Sequence, residues 1–190
     1  MHRQPLFELL DRYSAHYPYE AEVAARIRQL VESSPDCFER TCRPGHVTGS
    51  AWVLSQDCKK CLLVHHAKLD RWLQPGGHAD GDTAIQEVAL KEVREETGLV
   101  ELELPATDGV LVPLDLDVHL IPARYSPTGE LIEDAHEHHD VRFLVIARAD
   151  QPITVSEESH DLGWFTNVEV SQLTDEESVL RMLRKAGPYE

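Results

Sequence analysis

Apolar residues recur every third or fourth position in some stretches of the chain and every second position in others. Residues 5–14 read as a short helix ended near Pro18. Residues 19–33 read as a clearer one, with Val23, Ile27, Leu30 and Val31 on one face and Pro35 beyond it. From Gly45 the period changes. GSAWVLSQD and KCLLVHH are expected to pair as strands, with a turn from Asp57 to Lys60. Helical spacing returns after the Gly-rich run at 76–81, where Ile85, Val88, Ala89 and Val93 share one face and Gly98 falls at a left-handed C-terminal cap. Thr83 with Gln86 would form a capping box there, with Asp82 as a competing cap. VELEL then reads as a short strand. Residues 110–121 alternate, Leu114, Leu116, Val118 and Leu120 facing one way and Asp115, Asp117 and His119 the other. The aspartates are expected to meet water. A polar loop from Tyr125 to Asp140 feeds the strand VRFLVIARA, and Ile153 to Val155 suggests a strand fragment. Thr174 with Glu177 would cap a closing helix whose apolar face is Val179, Leu180 and Leu183, ended by Gly187-Pro188.

The segment GGHADGDTAIQEVALKEVREETG, residues 76–98, carries the chemistry. Glu92 and Glu96 project from within the apolar stripe of its helix, and Glu95 lies at the edge, while Glu87, Lys91 and Arg94 face solvent. An unpaired buried carboxylate is strongly unfavourable. Glu95 and Glu96 also lie in the last turn, where the helix dipole disfavours negative charge. Spaced i, i+3 and i+4, the three carboxylates converge. A hard divalent cation would resolve both conflicts, since Mg²⁺ and Mn²⁺ prefer oxygen ligands. The alternative is a solvated acidic helix end paired with Lys91 and Arg94. The Gly-rich loop in front and the apolar stripe beneath favour the metal site.

At these residues the sequence resembles the Nudix hydrolase family, whose box reads G-x5-E-x7-R-E-U-x-E-E-x-G-U, U being a bulky aliphatic. Aligned from Gly77 without gaps, the chain supplies Glu92, Val93, Glu95, Glu96, Gly98 and Leu99. It departs at Thr83, where the family has Glu, and at Lys91, where it has Arg. Alternatively the loop is one residue short and Asp82 replaces that Glu. In the family those two positions mainly brace the loop against the helix. Trp72-Leu73-Gln74-Pro75 also looks like the family's approach to the box, and the segment ending Trp164-Phe165 is similar to its late strand. There an acidic residue ahead of the strand serves as a metal ligand or general base, which points to Glu158, with Glu157 second.

The resemblance covers roughly residues 45–185 and implies an α/β fold, a Nudix-type α/β/α sandwich around a mixed sheet. Residues 41–190 would form the Nudix hydrolase domain. Residues 1–40 would be a helical N-terminal extension, expected to pack on it, with a cap over the cleft or a homodimer contact as alternatives. The implied activity is Mg²⁺- or Mn²⁺-dependent hydrolysis of a nucleoside diphosphate linked to another moiety. Glu92, Glu95 and Glu96 would be metal ligands, Glu95 or Glu158 the catalytic base, and the Gly76 and Gly77 backbone a substrate-binding element. Competing readings are a non-catalytic nucleotide sensor and a Nudix-fold prenyl-diphosphate isomerase. Retention of all three late glutamates disfavours the first, and the lack of a matching cysteine motif disfavours the second.

Composition narrows the partners. The 190 residues carry a formal charge of −16, from 34 acidic and 18 basic residues. Polymeric nucleic acid, which needs clustered Lys and Arg, is not expected as a partner. No apolar run approaches the ~18 residues of a membrane span, and the N-terminus lacks signal-peptide features, so a cytoplasmic location is the expectation. Cys37, Cys42, Cys58 and Cys61 fall within the loose spacing of a Cys₄ zinc site, but CFERTC lacks a knuckle glycine, and free thiols are expected. His136, His138 and His139 alternate with acidic residues at the end of the polar loop, a composition compatible with a metal or phosphate site. The family often has a similar His-rich start there, mostly structural, and structural roles are expected for these and for His65 and His66.

Overall fold

The computed structural model describes residues 2–106, 108–157 and 159–187. In chain order, α1 (Gln4–His16) and α2 (Ala21–Ser33) precede β1 (Gly45–Leu54), β2 (Cys61–His66), β3 (Arg71–Leu73) and β4 (Gly76–His78). Then come α3 (Ile85–Thr97), β5 (Leu102–Glu103), β6 (Asp115–Ile121), β7 (Arg124–Tyr125), β8 (Leu131–Glu133) and β9 (His136–Ala147). The chain closes with β10 (Ser159–Phe165), α4 (Asn167–Leu173) and α5 (Glu177–Ala186).

Every residue of β1 is buried, because neighbours cover both its edges and both its faces. It runs parallel to β9, from Gly45 opposite Glu137 to Leu54 opposite Ile146. On its other side it pairs antiparallel with β2 at one end and β4 at the other. β3 and β10 extend the sheet from β2, β5 and β6 pair with β9, and β7 and β8 form a separate two-stranded ribbon.

Alternation along β1 sends its residues into two cores. Val47, Ala51 and Val53, with Val141, Phe143 and Val145 of β9, meet α1, α2 and α3 through Leu10, Ile27, Val31, Ile85 and Val93. Trp52 and Leu54, with Leu144, meet α4 and α5 through Val170, Val179 and Met182. Helices therefore lie on both faces of a mixed sheet, the expected α/β/α sandwich. The stripe on α3 is buried as its spacing requires, which contributes roughly 1.5–3 kcal/mol for each large side chain. Ile85→Ala would remove about 2–5 kcal/mol of it.

Both ends of α3 have local causes. Gly98 adopts φ +76° and its N–H bonds the Arg94 carbonyl, the expected cap. The Thr83–Gln86 capping box does not form. The helix starts one residue later, with Ala84 as cap, and Asp82 Oδ1 accepts the Ala84 N–H at 2.9 Å. A short turn thus takes the backbone donor ahead of the helix.

Elsewhere the structure departs from the pattern in four places. α4 was not anticipated, although Thr166 and Glu169 make a reciprocal capping box at its start. Thr174 does not box with Glu177; its hydroxyl accepts the Glu176 N–H at 3.1 Å. Ile153–Val155 forms no strand, and the Thr154 N–H bonds the Thr97 carbonyl beyond α3. β9 begins at His136 because β1 and β6 both pair with its polar first half.

A candidate metal-binding active site

β1 positions the carboxylates indirectly. It carries β4 on its edge, with Gly76 opposite Ser50 and Gly77 opposite Gly49, and it carries α3 on its face. Glu92 and Glu96 on α3 therefore lie beneath the glycine strand. Glu96 Oε1 accepts the Gly76 N–H at 3.1 Å. A Cβ on Gly77 would stand 2.6 Å from the Glu92 carboxylate, so any larger residue there would push that carboxylate aside. Glu95 points to solvent, its side chain 58% exposed against 16% for Glu92. Lys91 Nζ lies 3.5 Å from Glu95 and 3.8 Å from Glu92.

The arrangement tests the two readings of the acidic helix end. Exposed Lys91 pairs account for Glu95 but contribute only about 0–1 kcal/mol. They do not explain why the Glu92 carboxylate is packed directly against the Gly77 backbone. The convergence of three carboxylates expected from their spacing is not seen among the described residues, because Glu95 turns outward. Glu92 and Glu96, packed under the glycine strand, are the pair whose placement suits a hard divalent cation.

The loop from Ala79 to Ala84 is braced from an unexpected direction. Arg40 grips Asp80 through both carboxylate oxygens, its Nε at 2.6 Å from Oδ1, and this holds the Asp80 carboxyl below its usual range. The Gly81 N–H bonds the Phe38 carbonyl at 3.0 Å, and Asp80 and Gly81 both take positive φ. The segment preceding β1 thus supplies rigidity at a loop where Thr83 and Lys91 replace the family's bracing pair.

Glu158 lies outside the described residues. Glu157 is exposed in a turn ahead of β10. A cleft lined by Ser55, Lys60, Leu99, Asp150 and Trp164 among others opens at the far ends of β1 and β9, and none of the three box carboxylates lines it.

The aspartates of β6 do not face water. Asp115 is fully buried, and Arg181 (Nε 2.8 Å), Lys185 (2.8 Å) and Arg142 (3.1 Å) all bond it. Asp117 bonds Arg181 at 2.9 Å and Arg142 at 3.1 Å. Burial works to raise the Asp117 pKa, but His119 and the two arginines outweigh it and hold the carboxyl low. Asp140 receives Thr48, Ser50 and Arg142. Burial would lower the Arg142 pKa, yet the surrounding aspartates keep it raised. The expectation failed because α5, some sixty residues downstream, covers this face with cations. The available signal was Arg142 itself, a lone charge inside the apolar run VRFLVIA, which demands a buried partner.

The cysteines are separated in space. Cys37 and Cys42 precede β1, whereas Cys58 and Cys61 follow it, a span of about 30 Å at ~3.3 Å per residue. No four-cysteine site assembles. Burial, first of all, pushes the Cys37 thiol up to about 11. His65 Nε2 pairs with Asp70 at 3.1 Å and its ring stacks on Trp72. His139 bonds Glu137 at 3.2 Å on one face of β9, while His136 and His138 occupy the other.

A mixed sheet between helix layers, with an acidic helix docked under a glycine strand, is the architecture of the Nudix hydrolases. The NUDIX domain family matches residues 45–185, and the chain belongs to it as an enzyme of the Nudix hydrolase class. A protein of Lactococcus lactis subsp. cremoris (strain MG1363), described as a probable DHNTP pyrophosphohydrolase, is 30% identical over 125 residues, 65% of this chain and 68% of that one. The crystal structure of a NUDIX-family hydrolase from Clostridium perfringens superposes with a TM-score of 0.58 at 21% identity, over 76% of this chain and 98% of that one. The E. coli dihydroneopterin triphosphate pyrophosphohydrolase gives 0.55 at 18% identity, over 75% and 94%. At these identities the structural likenesses establish the fold.

Proposed function

We propose that the protein is a Mg²⁺- or Mn²⁺-dependent pyrophosphohydrolase cleaving the phosphoanhydride of a nucleoside diphosphate linked to another moiety. The observation that carries this reading is the pressing of Glu92 and Glu96 under the Gly76–Gly77 strand. Glu92, Glu95 and Glu96 would hold the cation. When bound, it supplies positive charge to the anhydride oxygens and acidifies water. The rest falls to the chain. The Gly76–Gly77 backbone, without Cβ atoms, shapes the carboxylates and admits close approach of the anion. One carboxylate, Glu95 in the box or Glu158 ahead of β10, accepts the proton of the attacking water. Lys91, between Glu92 and Glu95, offsets part of their mutual repulsion. The net charge of −16 suits a small nucleotide-type substrate rather than a polymer.

A second reading is hydrolysis of dihydroneopterin triphosphate, favoured by the description of the Lactococcus relative. A product-resolved screen decides between them: nucleotide sugars, ADP-ribose, dinucleotides and CDP-alcohols against dihydroneopterin triphosphate and nucleoside triphosphates, with Mg²⁺, with Mn²⁺ and with chelator. Turnover that survives chelation, or that persists in both Glu95→Gln and Glu96→Gln variants of native circular dichroism, would reject the metal assignment.

A further inference from the structure

The polar end of the sheet holds a second cluster that the hydrolytic reading does not use. His46 on β1 stands opposite His138 on the parallel β9, and His136 lies two residues earlier on the same face. One ring nitrogen from each lies within 4.8 Å of the other two. His46 stacks on His136 at 4.9 Å between ring centroids and lies 4.8 Å from His138. His78 at the end of β4 and His119 on β6 complete the surround.

The placement is costly as it stands. His46 is 1% and His136 2% exposed. Among the described residues, neither ring nitrogen of His46 has a hydrogen-bond partner of normal geometry, and Nε2 of His138 is likewise buried and unpartnered. Buried polar atoms without partners are rare, and each requires a compensating interaction. His136 supplies a further sign. Its Nδ1 lies 2.9 Å from the Asp134 carbonyl, so that nitrogen is the donor and Nε2 carries the lone pair. Metal-binding histidines are oriented by the same kind of backbone bond on the nitrogen that does not ligate.

We infer that His46, His136 and His138 form a second metal site, distinct from the carboxylate cluster and selective for a borderline transition cation of the Zn²⁺ class. Imidazole nitrogens suit Zn²⁺, Co²⁺, Ni²⁺ and Cu²⁺, whereas Mg²⁺ takes oxygen ligands. Tetrahedral Zn–N bonds of about 2.0–2.1 Å set ligand nitrogens about 3.4 Å apart, so from separations of up to 4.8 Å the rings need close by at most about 1.4 Å. Glu133 Oε1, 4.0 Å from His136 Nε2, is within reach of the fourth position. Bound there, the cation would clamp the starts of β1 and β9.

The test uses full-length, tag-free protein stripped with chelator and titrated with Co²⁺, then with Zn²⁺ in competition. About one equivalent of Co²⁺ should bind with visible absorption of four-coordinate intensity and be displaced by Zn²⁺. The band should persist in the Glu92→Gln and Glu96→Gln variants and disappear in His136→Gln and His138→Gln. X-ray absorption of the Zn²⁺-loaded wild type, which needs no variant to fold, should show imidazole scattering. Absence of stoichiometric binding, an oxygen-only ligand shell, or a band lost with the glutamates and kept without the histidines would overturn the assignment. Because these readouts are independent of turnover, failure here leaves the hydrolase reading intact.

Discussion

Replacing Gly77 with alanine places a methyl carbon 2.6 Å from the Glu92 carboxyl carbon and from one of its oxygens. The carboxylate must retreat by about 0.8 Å to reach the 3.4 Å at which ordinary contact begins. Gly77 does not have positive φ, so the backbone admits alanine without strain. What moves is the end of a flexible side chain, and the unfolding free energy should change by less than about 1 kcal/mol. Activity should respond differently. A displacement approaching 1 Å in a positioned group costs on the order of 10²-fold, or about 2.7 kcal/mol of activation free energy. Gly76→Ala is the contrasting control. Its methyl would meet Ser50 Cβ at 2.2 Å and Ser50 Cα at 2.7 Å, so β4 must separate from β1. That variant should lose about 1–3 kcal/mol of stability. Urea denaturation and Mg²⁺-dependent turnover would be measured on both proteins. A Gly77→Ala variant within threefold of wild type at saturating Mg²⁺ would refute the argument that Glu92 is placed by the glycine strand.

Three further outcomes are expected. Asp115→Ala should cost about 3–5 kcal/mol in chemical denaturation, because it removes the buried carboxylate that Arg142, Arg181 and Lys185 share; a loss below about 1 kcal/mol would contradict the network. Glu158→Gln should lower kcat by about 10²–10⁴-fold with little change in metal affinity, and a nearly silent variant would return the general base to Glu95. The folded chain keeps the Cys37 proton up to about 11, while the unfolded chain gives it up near the ordinary 9.0. The stabilising contribution is therefore complete below that lower value and lost as pH rises through the window. Urea midpoints of wild type and Cys37→Ala at about pH 8 and about pH 10.5 check this, and equal pH dependence in the two proteins would count against it.

The parts legible in the sequence were those whose causes are local. The stripe Ile85, Val88, Ala89 and Val93, the cap at Gly98 and the inward Glu92 and Glu96 all lie within one segment. Helical period and glycine geometry act over a few residues, so they leave a readable trace. β6 was misread for the opposite reason. Its alternation was correct, but whether Asp115 meets water depends on Arg181 and Lys185, and strand period carries no information about what covers a face. The grouping of the histidines also depends on distant pairing. His136 and His138 were visible as a pair, while His46 joins them only through the parallel register of β1 and β9, separated by some ninety residues. Thr83 was a capable cap on paper, and it lost because Asp82 could close a turn one residue earlier.

Lys185 joins what the chain order keeps apart. From α5 it bonds Asp115 on β6, Glu20 before α2 and the hydroxyl of Tyr13 on α1. The two ends of the polypeptide are thereby latched to one buried aspartate, like a belt closed on a single pin. A shortened version lacking residues 177–187 would lose Arg181 and Lys185 together, leaving Asp115 with Arg142 and loosening Tyr13 and Glu20 at the opposite terminus. Trimming or fusing at the C-terminal side is therefore also an intervention on the N-terminal helices, and proteolytic protection of α1 should report the integrity of α5.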